Sequence, residues 1–321
     1  MEDAIKNFAA QFEWEPKVEN SDKWKPYDKF IVAGMGGSHL AAGLLEIIKP
    51  GLDVVVHRDY GLPDLSKKEL TGRLLIASSY SGNTEEVIDA FDEAVKKGLN
   101  LAAISVGGKL IERAKKAHIP YVVIPQTGIQ PRSALGFSLR AMLKLMGLEE
   151  LLKESSKLAQ ELKPQELRQE GSRLAEKLKD QVPVIYASRR NFSLAYNWKI
   201  KMNETGKIPA FYNVFPELNH NEMTGFDVTE SSRHLSKIFH FLFLKNENDH
   251  PKIQKRLEIT AELYRQRGLV VEVMELTGKS VMEKVFRSLV IADWTAVRLA
   301  EIYGLEAEQV PMVEEFKKLI T

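Results

Sequence analysis

Short, unbroken apolar runs at 30–33, 52–57, 73–77, 100–106 and 121–125 alternate with stretches at 39–49, 84–97 and 109–117 whose apolar residues recur every three or four positions. Runs rich in β-branched, Leu and Ala residues suit strands buried on both faces, and the spacing between them suits amphipathic helices. The first half therefore predicts five parallel strands wound with helices, after an N-terminal helix and a connection containing Trp14, Pro16, Trp24 and Pro26. A loop over 125–133 leads into a helix over 134–146, with Gly147 as its C-cap. Two charged helical stretches, 149–162 and 165–179, join the halves; their Lys/Glu pairs at helical spacing read as a solvated face.

The alternation restarts with strands at 182–188 and 210–215 and near 237–244 and 269–276. Helices over 192–203, 251–267 and 280–303 lie between and after them, and the chain closes on a short amphipathic helix after Pro311. The second half thus reads as a loose duplication of the first, without extended identity. The expected fold class is α/β, with two doubly wound domains over 1–150 and 151–321, each a mainly five-stranded parallel sheet flanked by helices.

Two turns stand out against this background. The strand ending at Ala77 runs into SSYSGNTEE at 78–86 and then a helix. Such a turn offers hydroxyls from Ser79, Ser81 and Thr84, a tight bend at Gly82, and free backbone N–H groups at the positive end of a helix dipole. That chemistry suits a phosphate group. No Lys follows the glycine and the GxxxxGK spacing is absent, so a phosphomonoester such as a sugar phosphate fits better than ATP. Thr84 with Glu86 also makes an ordinary helix cap, which every α/β domain needs. A second turn, GMGGS at 34–38, follows the strand 30–33, and two such turns of one sheet can close on one small anion.

Composition removes several classes of function. With 45 basic against 44 acidic residues and no long Lys/Arg run, there is no field to attract nucleic acid. The chain has no cysteine, which excludes disulfides, thiolate metal sites and a Cys nucleophile. Residues 1–15 carry Glu2, Asp3, Lys6 and Glu13 and do not form a signal peptide, and no apolar stretch is long enough to span a bilayer. The expectation is a cytoplasmic protein with no membrane partner.

The densest groups of reactive side chains lie in the second half, in NETGK at 203–207 and ELNHNE at 217–222. Glu204 ends a helix whose Leu194, Trp198 and Ile200 face a core; a carboxylate there opposes the dipole, so it is either exposed or held for a purpose. His220 sits in a polar loop near Glu217 and Glu222 and suits proton transfer better than His57 or His118, which lie in or beside elements. Metal-ligand spacing is absent around it, since no HExxH or second histidine is near. Arg132, in the loop 125–133, can pair with an anion or a developing enediolate oxygen, or lie on the surface as an ordinary arginine.

The ordered set GMGGS, SSYSGNTEE, PRSALG at 131–136, NETGK and ELNHNE resembles the bifunctional phosphoglucose/phosphomannose isomerases, built from two sugar-isomerase (SIS) domains. The resemblance spans nearly the whole chain. GGS and SxSGxT are common to many SIS proteins, whereas NETGK followed by ExNHNE is specific to this isomerase group. The resemblance implies that Gly37, Ser38, Ser79, Ser81 and Thr84 bind the phosphate and Arg132 steadies the reacting end of the sugar. It further implies that Glu204 is the base, that His220 opens the ring and that Lys317 of the C-terminal helix reaches the site. A homodimer with His220 lent by the neighbouring subunit, no cofactor, and a place in glycolysis and gluconeogenesis also follow from the resemblance. One departure stands out: a threonine commonly precedes the proline of the C-terminal segment in the family and leaves room for both C2 epimers, and here that residue is Val310.

The expected reaction interconverts glucose 6-phosphate, and mannose 6-phosphate, with fructose 6-phosphate through a cis-enediolate. Its rivals are a non-catalytic SIS sensor of sugar phosphates and an aminosugar-phosphate synthase module. The first needs neither Glu204 nor His220 and would act on DNA through a basic helix-turn-helix that this chain lacks; the second would usually carry an amide-transfer domain with an N-terminal Cys.

Overall fold

A computed structural model describes residues 1–320 of the chain. It divides into two compact units, one of Asn7–Leu162 and one of Met1–Lys6 with the chain from Lys163 onward.

In the first unit β1 (Lys29–Ala33), β2 (Asp53–His57), β3 (Leu74–Ser78), β4 (Leu101–Ser105) and β5 (Tyr121–Val123) form one parallel sheet in the order β2-β1-β3-β4-β5. The five expected strands are all present. β3 and β4 are buried along their whole length because helices cover both faces, which is why their sequences show no alternation. Ile31, Leu75, Ala77 and Ala103 pack against Val87 and Phe91 of the Glu85–Lys96 helix and against Leu110 and Ala114 of the Gly108–Lys116 helix. The apolar residues of these helices at three- and four-residue spacing are those that turn inward.

The second unit holds β6 (Val182–Ser188), β7 (Phe211–Phe215), β8 (Phe239–Lys245) and β9 (Val270–Glu275), parallel and ordered β7-β6-β8-β9. This corrects the expectation of a five-stranded second sheet: among the described residues it has four strands. After β9 the chain enters the 22-residue Val281–Ile302 helix. Beyond it, residues 303–310 are broken by Gly304, Glu306 and Glu308 and offer no β-branched run to extend the sheet. β9 therefore remains an edge, with Val270 48% exposed.

The Val281–Ile302 helix is buried on nearly every side, and the Arg168–Leu178 helix lies against it so closely that a Cβ on Gly171 would sit 2.5 Å from that of Trp294. The charged stretch 165–179 thus keeps Lys and Glu on its outer face but buries Leu174, Ala175 and Leu178.

Both sheets share the doubly wound order in which the second strand lies outside the first and the third lies on its other side. In such sheets the crevice for ligands opens where neighbouring connections leave in opposite directions, at the carboxyl ends of the first and third strands. Those points are β1/β3 and β6/β8.

Candidate functional site

At the β1/β3 point the two turns singled out in the sequence meet. Ser78 Oγ donates to the Ser38 carbonyl at 2.9 Å, and the Tyr80 N–H donates to Ser38 Oγ at 2.8 Å, so the GMGGS and SSYSGNTEE turns are bonded to each other. Ser79 Oγ lies 2.8 Å from Thr84 Oγ1 and accepts from the Gly82 N–H at 3.1 Å. Ser81 is exposed at the outer side of the bend, its hydroxyl accepting from the Asn83 N–H at 3.2 Å. Gly82 has φ +73°, and a Cβ there would come 1.8 Å from the Gly107 carbonyl, so only glycine fits.

Thr84 occupies the N-cap position of the Glu85–Lys96 helix, yet its hydroxyl turns to Ser79 and makes no cap bond. The expected pairing of Thr84 with Glu86 as a cap is not formed. The Gly37–Ile48 helix likewise has no side-chain cap. Two helix N-termini at one crevice thus keep backbone donors that no side chain takes up, the arrangement that attracts an anion.

Arg132 belongs to the same unit and is buried, at 2% exposure, which removes the surface-arginine alternative. Gly37 sets its position: a Cβ on Gly37 would lie 2.7 Å from the Arg132 backbone nitrogen, so glycine lets the 131–133 turn press against the start of the helix. Arg132 Nη1 also donates to Gln130 Oε1 at 3.5 Å. Gly37, Ser38, Ser79, Thr84 and Arg132 therefore sit on connected turns, with Ser81 at their outer edge.

The β6/β8 point is built differently. Ser188 Oγ donates to Asp249 Oδ1 at 2.7 Å, Asn191 Nδ2 donates to both Asp249 oxygens at 3.1 and 3.3 Å, and Asn246 Nδ2 donates to Asn191 Oδ1 at 3.2 Å. All four residues are buried, and burial pushes the Asp249 carboxyl above the usual range. The second crevice is filled by its own polar side chains. Of the residues singled out in this unit, Glu204 precedes and His220 follows the edge strand β7.

Glu204 is the last residue of the Phe192–Glu204 helix, half-buried, and Leu194, Trp198 and Ile200 of that helix face the core as expected. The helix end is held firmly. Thr205 and Gly206 both donate to the Lys201 carbonyl at 3.0 Å, and buried Lys201 pairs with buried Asp293 at 2.6 Å. A Cβ on Gly206 would lie 2.9 Å from the Met202 carbonyl and 3.5 Å from Ala296 Cα. Lys207, with φ +59°, donates its Nζ to the Glu204 carbonyl at 2.6 Å and to the Gln309 carbonyl. The sequence signal for Lys207 is its place in NETGK alone.

His220 ends the 3-10 turn Glu217–His220 that follows β7 and is exposed. Lys317 lies on the Pro311–Ile320 helix, every residue of which is exposed, and pairs with Glu314 at 2.8 Å. Glu222 accepts from Tyr186 Oη and Asn213 Nδ2, contacts that sequence spacing did not announce. Among the described residues no group of three or more His, Cys, Asp or Glu side chains converges to hold a metal, and no helix is long and apolar enough to cross a membrane.

Residues 167–320 match the family described as the bacterial phospho-glucose isomerase C-terminal SIS domain. The bifunctional phosphoglucose/phosphomannose isomerase of Caldicellulosiruptor bescii is 36% identical over 314 residues, covering 92% of this chain and 90% of its own. The protein of the same name from Aquifex aeolicus is 32% identical over 318 residues, covering 98% and 96%. Among solved structures, glucosamine-6-phosphate deaminase from Thermotoga maritima superposes with a TM-score of 0.68 at 18% identity, over 96% of this chain and 95% of that one, a likeness of fold. With relatives above 30% identity along almost its entire length, a matching SIS family over its second half, and two parallel sheets wound as described, the chain belongs to the bifunctional phosphoglucose/phosphomannose isomerase family.

Proposed function

We propose that the protein is an aldose-ketose isomerase that interconverts glucose 6-phosphate, and mannose 6-phosphate, with fructose 6-phosphate. The full-length likeness to two relatives of that name, each more than 30% identical, carries this assignment. The phosphate is held at the β1/β3 crevice by Ser38, Ser79, Ser81 and Thr84 and by the amides at Gly37. The uncapped helix starts and the hydroxyl pair at 2.8 Å support that placement.

The sugar enters as a closed ring, and His220 transfers the proton that opens it. Glu204 then removes the C2 proton of the aldose and returns it to C1 through a cis-enediolate, while Arg132 and Lys317 offset the negative oxygen. C2 is planar in that intermediate, so both epimers reach it. The transfer requires no metal or cofactor, only a base and a cation fixed in place.

Within one chain Glu204 precedes β7 and His220 follows it, with a five-residue strand of about 16 Å lying between them along the chain. This supports a homodimer in which His220 of one subunit completes the site of the other. We place the enzyme in the cytoplasm, in glycolysis and gluconeogenesis, with a sugar phosphate as partner and neither nucleic acid nor membrane.

The test is a coupled assay on purified protein with fructose 6-phosphate, following glucose 6-phosphate and mannose 6-phosphate separately. Formation of neither product by protein that still binds fructose 6-phosphate in calorimetry would favour a non-catalytic sensor.

A further inference from the structure

His220 is exposed, and among the described residues its ring makes no hydrogen bond or ion pair, whereas the residues on both sides of it are anchored. On one side, Asn219 Nδ2 donates to Thr260 Oγ1 at 2.8 Å and Arg256 Nη1 donates to Asn219 Oδ1 at 3.3 Å, both from the Pro251–Gln266 helix. On the other, Asn221 Nδ2 donates to Glu217 Oε1 at 2.8 Å and Asn221 Oδ1 accepts from the Glu222 N–H at 2.5 Å.

The strongest tether is Glu222. Tyr186 Oη of β6 donates to one of its carboxylate oxygens and Asn213 Nδ2 of β7 to the other. Tyr186 is fully buried, so this hydroxyl has no water to bond in place of Glu222, and Tyr264 Oη is 3.5 Å away. Burial pushes the Tyr186 phenol well up and that of Tyr264 up to about 12, so Tyr186 remains a donor and Glu222 the acceptor. A carboxylate gripped at both oxygens by two adjacent strands fixes the chain two residues from His220 to the sheet itself.

We propose that Glu222 is a positioning residue for His220: its clamp between Tyr186 and Asn213 sets where the imidazole stands for ring opening. This rests on the reading in which His220 opens the ring. An exposed turn end without that clamp would present the imidazole in many places, and a misplacement on the order of 1 Å is enough to cost about 10²-fold in rate.

The experiment uses the full-length protein and reads ring opening apart from isomerisation, by the exchange between the α and β anomers of glucose 6-phosphate in magnetisation-transfer NMR. The Glu204→Gln variant serves as background, because anomer exchange needs only the ring-opening group. In that background His220→Ala tests the underlying reading: exchange unchanged by it would mean that another group opens the ring. Glu222→Gln leaves a single acceptor oxygen for two donors, Tyr186 Oη and Asn213 Nδ2, so one of the two contacts is lost or reversed, and it should lower exchange by about tenfold or more with KM for isomerisation, measured with Glu204 intact, within about twofold. Adding Asn213→Asp reverses donor and acceptor at the Asn213 contact and should restore exchange to within about threefold of the background. Tyr186→Phe removes the other tether and supplies a second test should Glu222→Gln fail to fold. Exchange that survives Glu222→Gln and Tyr186→Phe, or that the Asn213→Asp swap leaves unrescued in a folded protein, would overturn the assignment of Glu222 even if His220→Ala abolishes exchange.

Discussion

Glu204 and His220 lie on either side of one five-residue strand along the chain: the helix Phe192–Glu204 stops before β7 begins, and the turn carrying His220 starts after β7 ends. If each site draws its base from one subunit and its imidazole from the other, two inactive variants should complement. In a mixed dimer of Glu204→Gln and His220→Ala chains, one of the two sites recovers both groups. Unfolding and refolding the pair together should return about a quarter of wild-type activity, since a random mixture contains about half mixed dimers with half their sites intact. Activity no greater than the sum of the separate variants would mean that both groups act within one chain.

The hydroxyl pair of Ser79 and Thr84 makes a second prediction. Phosphate is held alike in substrate and transition state, so Ser79→Ala with Thr84→Ala should raise KM far more than it lowers kcat. Each lost bond to a dianion is worth on the order of 1.5–3 kcal/mol. Steady-state kinetics with an unchanged KM would move the phosphate elsewhere.

Glu204→Gln keeps the shape of the side chain and removes its basic lone pair. Calorimetric binding of fructose 6-phosphate should survive while turnover falls by at least about 10²-fold. Near-full activity in the coupled assay would place the base at another residue.

Val310 follows Gln309, whose carbonyl shares the Lys207 ammonium with the Glu204 carbonyl, so the C-terminal segment is tied to the turn that follows Glu204. Val310→Thr restores a hydroxyl of similar shape. The ratio of mannose 6-phosphate to glucose 6-phosphate turnover should rise; a level or falling ratio would remove Val310 as the determinant.

Acid should weaken the first unit through His39. Burial, with the Arg58 cation second, holds its imidazole down at about 4. An unfolded chain takes up that proton near 6.5, so between those values the unfolded state binds more protons and stability falls as pH falls, by at most about 1.4 kcal/mol per pH unit. Urea titrations followed by tryptophan fluorescence at about pH 6.5 and about pH 5 should show wild type losing roughly 1.5 kcal/mol that His39→Asn does not lose. Equal losses in both proteins would clear His39 of the effect.

The alternation of unbroken apolar runs with helical spacing determined the class of this protein and the position of nine strands, because strands buried on both faces need continuous apolar sequence and their covering helices need only one apolar stripe. The two hydroxyl- and glycine-rich turns were legible for a similar reason: Ser, Thr and Gly after a strand are a local chemical signal. What lay outside local sequence was everything decided by approach between distant segments. Thr84 reads as a helix cap until Ser79 takes its hydroxyl; Arg132 reads as a surface cation until Gly37 admits its turn against the helix start. Asp249 fills a crevice that looks open by analogy with the first sheet, and Glu222 finds Tyr186 and Asn213 only because β6 and β7 lie side by side. The missing fifth strand belongs to the same class, since a half that resembles the other in pattern still ends its sheet where the remaining chain is needed as helix. Periodicity is a property of neighbours along the chain and reports which face is buried; partners across space depend on register and packing, which only the folded structure decides.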